Sequence, residues 1–214
     1  MKKSCFIFGA GEYYGSEFSV PLPEGSFSVA ADGGFARMLK HGVKPDLVVG
    51  DFDSLGYVPD FPDIIKYPAE KDDTDMAIAV RECEKRGFDI FVIYGGLGGR
   101  LDHTLANIQT LFGMCADGKS GYLIGKNTVI TAIKNGGIEF PTGLSGMISV
   151  FAAGIASGVT IDGLKYEISD AVLTNTNPLG VSNEFLGTAA RISVLDGTLL
   201  ITWNESVESF LERL

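Results

Sequence analysis

The sequence predicts an α/β chain in two parts: a doubly wound, mostly parallel domain over 1–125 and an antiparallel all-β part over 126–214. Two observations carry this. Up to Gly125, short apolar runs alternate with helical patterns, the grammar of a parallel sheet with crossover helices. After residue 126 the helical period disappears until near the end. Short β-like runs follow one another there, separated by Gly, Pro, Asn and Asp, which suggests a sandwich or small barrel.

Cys5-Phe-Ile-Phe reads as the first strand and Phe27 to Ala31 as the second, with a short helix from Phe35 to His41 stopped by Gly42. Leu47, Val48 and Val49 form a strand buried on both faces. Asp63 to Tyr67 is a further short strand, Met76 to Arg86 a helix, Asp89 to Tyr94 a strand, Thr104 to Cys115 a helix, and Gly121 to Gly125 the closing strand. In the second part the runs are 129–133, 137–140, 147–152, 159–161, 171–173, 191–195 and 199–203. Residues 174–184 read as a long polar loop, and Val207, Phe210, Leu211 and Leu214 as a short docked helix.

The formal net charge of −10 excludes an ordinary partnership with nucleic acid, whose backbone needs clustered Lys and Arg. Phosphate, if bound, must be held locally by metal, backbone N–H groups and one or two cations. Cys5, Cys83 and Cys115 show neither metal-ligand spacing nor a disulfide framework, which fits a reducing cytoplasm. The apolar run after Met1-Lys2-Lys3 breaks at Gly9, too early for a signal-peptide core, and no run reaches membrane-spanning length.

The acidic stretch Pro45-Asp-Leu-Val-Val-Gly-Asp-Phe-Asp-Ser54 ends a buried strand with two carboxylates. Ligands of open parallel sheets bind beyond the carboxyl ends of the strands. Asp51 and Asp53 there would repel each other without a cation, and Mg²⁺ is commonly held by one or two carboxylates plus substrate phosphates. A capped, solvated turn is the bland alternative. Asp72, Asp73, Thr74 and Asp75 crowd the first turn of the next helix, more acid than capping requires. Asp51 and Asp53, with Asp75 or Asp72, are the predicted metal ligands. Asp32-Gly33-Gly34 ends a strand and opens a helix, so it can cap or approach a ligand closely. Gly95-Gly-Leu-Gly-Gly-Arg100 precedes another helix, where Gly98, Gly99 and Arg100 can cradle phosphate. Asp102 and His103 follow in that helix's first turn, with Asn107 one turn on. Gly9-Ala-Gly-Glu-Tyr-Tyr-Gly15 fails as a dinucleotide fingerprint, because its third Gly is late and no helix pattern follows through Ser16 to Glu24.

In order along the chain, Ala31-Asp-Gly-Gly34, 45–54, Lys71-Asp-Asp-Thr-Asp75, 95–103 with Asn107, and Ser182-Asn183 resemble the motifs of the thiamine pyrophosphokinase family. The resemblance implies an α/β nucleotide domain, a C-terminal β-sandwich for thiamine binding and dimerisation, and a homodimer. It also implies transfer of the pyrophosphoryl group from ATP to the thiamine hydroxyl, with Mg²⁺, releasing AMP. On this reading Asp51, Asp53, Asp75, Arg100 and Asp102 carry the chemistry. Asp32, Gly33, Thr74, Gly98, Gly99, Arg100, His103 and Asn107 face ATP, and Ser182, Asn183 and Trp203 face thiamine. Asp32 and Asp102 suit nucleotide or metal contacts, or activation of the hydroxyl, and Asp75 can face thiamine instead. For Trp203 the alternative is plain sandwich core. Glu12, Tyr13 and Tyr14 match no family motif. Two other readings compete: an aspartyl-nucleophile phosphatase using Asp51, and a sensor that binds thiamine or nucleotide without turnover.

Overall fold

The computed structural model describes residues 3–14 and 20–214, so the non-helical reading from Ser16 onward falls partly outside them. The chain divides into two compact units, Met1–Thr110 with Gly121–Lys126, and Leu111–Ser120 with Asn127–Leu214.

In the first unit the strands are β1 (Ser4–Phe8), β2 (Phe27–Ala31), β3 (Leu47–Gly50), β4 (Ile64–Lys66), β5 (Ile90–Tyr94) and β6 (Ser120–Gly125), in the spatial order β6-β5-β1-β2-β3-β4. β1 to β5 pair in parallel. Phe6, Ile7, Phe8, Val48, Val49, Phe91 and Val92 are buried, as strands covered on both faces require. The chain winds away from β1 through β2, β3 and β4, then returns to the other side of β1 with β5. The order therefore reverses between β1 and β5, which is where open α/β sheets bind ligands.

Among the described residues the helices of this chain segment are α1 (Gly34–Lys40), α2 (Asp75–Lys85) and α3 (Leu101–Ala116). α3 begins one turn before the expected Thr104. α1 lies so close to β1 that a Cβ on Gly34 would meet the Phe8 carbonyl oxygen at 1.8 Å. α2 packs its Met76, Ile78, Ala79, Val80 and Cys83 inward. Cys83 Sγ lies 3.1 Å from Cys5 Sγ of β1, both fully buried. Glu82 faces Tyr67, whose hydroxyl donates to it at 2.9 Å, and Lys85 at 2.6 Å, which ties α2 to the end of β4.

The second unit holds two sheets. One runs β12 (Gly180–Glu184), β9 (Met147–Ala152), β14 (Thr198–Trp203), β7 (Thr128–Lys134), all antiparallel. The other runs β11 (Ile168–Thr174), β10 (Ile155–Asp162), β13 (Ala190–Ser193), β8 (Gly137–Phe140). Their inner faces share Ile148, Val150, Ala156, Ile161, Ile192, Leu199, Ile201 and Trp203. α4 (Val207–Glu212) closes the unit, with Val207 and Phe210 buried as the spacing predicts, whereas Leu211 is half-buried and Leu214 lies exposed past the helix end.

One expectation changes here. Residues 174–184 are not a single long loop, because Gly180–Glu184 form β12 against β9. The pairing uses the backbone, so an edge strand can carry Ser182 and Glu184 and escape a hydropathy reading. Gly180 is needed for it: a Cβ there would meet the Val150 carbonyl oxygen at 2.4 Å. Among the described residues no helix is long and apolar enough to cross a membrane.

Candidate active site

Three strand or helix ends deliver carboxylates to one place. Asp32 follows β2, Asp51 follows β3, and Asp75 opens α2; one oxygen from each lies within 4.8 Å of the others. Among the described residues this is the one group of three acids, cysteines or histidines so placed. The backbone builds it. The Asp32 N–H donates to the Val49 carbonyl at 2.7 Å, which continues the β2–β3 ladder and sets Asp32 beside Gly50. A Cβ on Gly50 would stand 3.0 Å from Asp32 Cα, so glycine is the residue that lets these two ends meet. Asp32 and Phe52 both adopt left-handed backbone, at φ +46° and +66°. That conformation is strained for residues other than glycine, and it gathers at functional sites. At Phe52 it puts the ring in the core, while Asp51 stays half-buried at the strand end and Asp53 is exposed.

Lys71 completes the group. Its ammonium contacts Asp51 Oδ2 and lies 3.0 Å from Asp75 Oδ1. The Asp51 carboxyl is held below its ordinary range by the hydrogen bond from Lys71, against burial. Asp75 goes the other way: burial raises it, and the nearby Asp51 and Asp32 charges add to that, more than Lys71 offsets. Burial works against the Lys71 charge, yet the two acids hold its pKa above the usual lysine value. Asp32 Oδ1 is buried and has no hydrogen-bond partner, and Asp75 Oδ1 has ion-pair contact but no directed hydrogen bond. An orphaned, buried carboxylate oxygen is costly unless a cation reaches it. Three hard oxygen donors with one such orphan fit a Mg²⁺ ion.

The other predicted ligands lie apart from this group. Asp53 is exposed; its backbone N–H donates to Asp51 Oδ1 at 3.1 Å, and Ser54 Oγ donates to its carboxylate. Asp72 is exposed, and Asp73 pairs with Arg81. Thr74 is the N-cap of α2, its hydroxyl accepting from the Ala77 N–H at 3.2 Å. Gly33 precedes α1, and a Cβ on it would stand 3.0 Å from Ala10 Cβ.

The glycine loop after β5 runs alongside the loop after β1. Gly11 N–H donates to the Gly95 carbonyl and Glu12 N–H to the Leu97 carbonyl, each at 2.9 Å. A Cβ on Gly95 would meet the Gly9 carbonyl oxygen at 2.5 Å and the Tyr13 ring at 2.6 Å. Tyr13 is buried, donates to the Gly9 carbonyl and lies ring to ring with His41. The unassigned Glu12-Tyr13-Tyr14 stretch therefore has a structural office in Tyr13, which wedges this crossing. Asn107 Nδ2 donates to the Gly96 carbonyl at 2.7 Å from inside the unit, so it tethers the loop. Gly98 and Gly99 have φ of +73° and +66°, and Arg100 is exposed. Arg100 forks onto the Asp102 carboxylate at 2.6 and 3.2 Å and holds that acid below its usual range. His103 is exposed at the surface of the same first turn.

In the second unit, Ser182 is exposed at φ +60°. Asn183 is buried and spent: it accepts from the Tyr166 N–H and donates to the Tyr166 carbonyl at 2.7 Å, fixing the loop that displays Tyr166. Trp203 stands in the sandwich core rather than on an open surface. It is 1% exposed, donates to Glu205 at 2.7 Å and packs edge-on against Phe140 and Phe210. Glu205 and Arg213, which the sequence reading passed over, complete this cluster, with the guanidinium 5.2 Å from the Phe210 ring centre. No local signal marks them, since they meet only through the fold of α4.

Comparison with known proteins places this geometry in a family. Residues 22–123 match the thiamin pyrophosphokinase catalytic domain, and residues 137–199 match the thiamin pyrophosphokinase vitamin B1 binding domain. The chain belongs to the thiamin pyrophosphokinase family. Thiamine pyrophosphokinase of Bacillus subtilis is 28% identical over 81% of this chain and 85% of its own. Thiamin pyrophosphokinase 1 of Caenorhabditis elegans is 26% identical over 88% of this chain and 82% of its own. The crystal structure of the Bacillus subtilis enzyme shares the fold, with a TM-score of 0.82 over 96% of this chain and 100% of that one, at 24% identity. In family terms, the acid group and the glycine loop both lie in the catalytic-domain match, and Asn183 and Tyr166 in the vitamin-binding match.

Proposed function

We propose that this chain transfers the pyrophosphoryl group of ATP to the hydroxyl of thiamine, giving thiamine diphosphate and AMP, with Mg²⁺ held by Asp32, Asp51 and Asp75. The observation that carries the reading is the convergence of those three acids, one of them with an orphaned oxygen, in a chain of this family. These acids would hold Mg²⁺, which when bound would supply positive charge against the phosphate oxygens. The residues do the rest by position. The backbone N–H groups at Gly98 and Gly99, ahead of α3, suit phosphate oxygens. Arg100, already planar and charged, can exchange its Asp102 partner for phosphate or hold both. Asn107 and Tyr13 keep that loop in shape. Asp53, just outside the acid group, is placed to orient Asp51 through its backbone N–H.

On the acceptor side, exposed Ser182 and Tyr166 carry the thiamine reading, with Asn183 holding the Tyr166 loop and Trp203 serving the sandwich core. The chain acts as a homodimer with thiamine near the interface. Exposed Met147, Phe151 and Val181 on β9 and β12 supply apolar surface of the kind an interface covers.

Product analysis by mass, after incubation with ATP, Mg²⁺ and thiamine, tests the reading. AMP and thiamine diphosphate in equal amounts are expected. ADP with thiamine monophosphate would replace pyrophosphoryl transfer with ordinary γ-transfer. Thiamine bound without product would favour the sensor, and a phospho-Asp51 adduct the phosphatase.

A further inference from the structure

We propose that Lys71 is a built-in counter-cation: its ammonium occupies the acid group when no divalent ion is bound and is displaced when one arrives. The inference rests on the metal reading of that site. Three carboxylates meet within 4.8 Å, and burial weakens the screening that would let them coexist alone. Lys71 answers two of them. Its ammonium contacts Asp51 and lies 3.0 Å from Asp75, with the side chain only 12% exposed. The third acid is left out, since Asp32 Oδ1 has no partner. One positive charge against three negative ones is an incomplete solution. A divalent ion carries twice the charge and can reach all three oxygens.

Lysine is the cation suited to such a temporary post. Its charge is compact, its stem is flexible, and it lacks the fixed fork by which arginine grips a carboxylate in two places. It also approaches from the loop ahead of α2 rather than from a strand, so it can leave without disturbing the strand ends that position Asp32 and Asp51. The ammonium and the metal therefore compete for the same oxygens. Removing the ammonium should tighten metal binding and loosen the metal-free fold, two effects of opposite sign from one substitution.

The test compares wild type with Lys71→Met. Free Mn²⁺ is counted by its electron paramagnetic resonance signal, and melting is followed in EDTA and in saturating Mn²⁺. The expected result is severalfold tighter Mn²⁺ binding by Lys71→Met, a melting point a few degrees below wild type in EDTA, and a gap that closes with Mn²⁺. Equal or weaker Mn²⁺ binding by the variant, with wild type binding normally, overturns the proposal and leaves the metal site standing. Absence of Mn²⁺ binding by either protein overturns both, whatever the product assay gives. Wild type alone supplies a second measurement should the variant fail to fold. Acetylation of Lys71, read by peptide mass, should be slow in EDTA and quicken with Mg²⁺; unchanged protection overturns the proposal.

Discussion

Asp32 concentrates what the site costs at a single residue. Its backbone is left-handed at φ +46°, its carboxylate is buried, and one oxygen has no partner. Asparagine tolerates that backbone as well as aspartate does and carries no charge. Asp32→Asn should therefore stabilise the metal-free protein, by about 1 kcal/mol or roughly 2–4 °C in a chain of this size. It should also lower pyrophosphoryl transfer by about a hundredfold or more, as loss of a charged group that stabilises the transition state does. Melting in EDTA beside turnover at saturating Mg²⁺ checks this, and a fall in both would mean that the carboxylate serves the fold. The residue scale is also where the sequence was least legible. Asp51 and Asp75 could be singled out because acids crowd that strand end and that helix start in greater number than capping requires. Asn183 and Trp203 could not be sorted from ligand contacts, since only the fold reveals that Tyr166 takes up one and Glu205 the other. Lys71 shows no role in the sequence, because its partner Asp51 is twenty residues away.

At the scale of elements, α4 shows how a short helix is fixed by one ion pair. Glu205 accepts from Arg213, Trp203 and Ser209 and so ties both ends of the helix to β14. Burial disfavours its charge, but Arg213 and then the indole N–H outweigh that, and the pKa falls below the ordinary glutamate value. A depressed pKa gives stability that is whole above the unfolded value, about 4.3, and is lost as pH falls through the folded one. Glu205→Gln should thus cost about 1–3 kcal/mol near pH 7. The gap to wild type should narrow below about pH 4. Denaturant midpoints at both pH values measure it; a gap that stays constant would mean the charge is not what matters. Elements as such were legible. Apolar runs of strand length and helical spacing placed β1 to β6 and α1 to α4, because burial dictates both. β12 escaped because its pairing with β9 lies in the backbone, which hydropathy does not record.

For the whole molecule, the change of grammar near residue 126 predicts a parallel α/β part followed by an antiparallel one, and the mixed α/β fold class is the one observed and shared with relatives. What no pattern reveals is how closely separate pieces approach, and Gly34 is the case in point. A methyl group there would sit 1.8 Å from a β1 backbone oxygen that the sheet holds in place. Gly34→Ala should cost at least about 3 kcal/mol, beyond ordinary overpacking, because backbone must move. The denaturant midpoint or soluble yield would show it, and a near-native midpoint would mean that α1 can slide. In a selection for cells that make their own thiamine diphosphate, every replacement of Gly34 would vanish as completely as replacements of Asp51. Survival alone would then rank a residue that contributes only empty space beside one proposed to hold the metal, and the difference would lie in how much protein the dying cells contain.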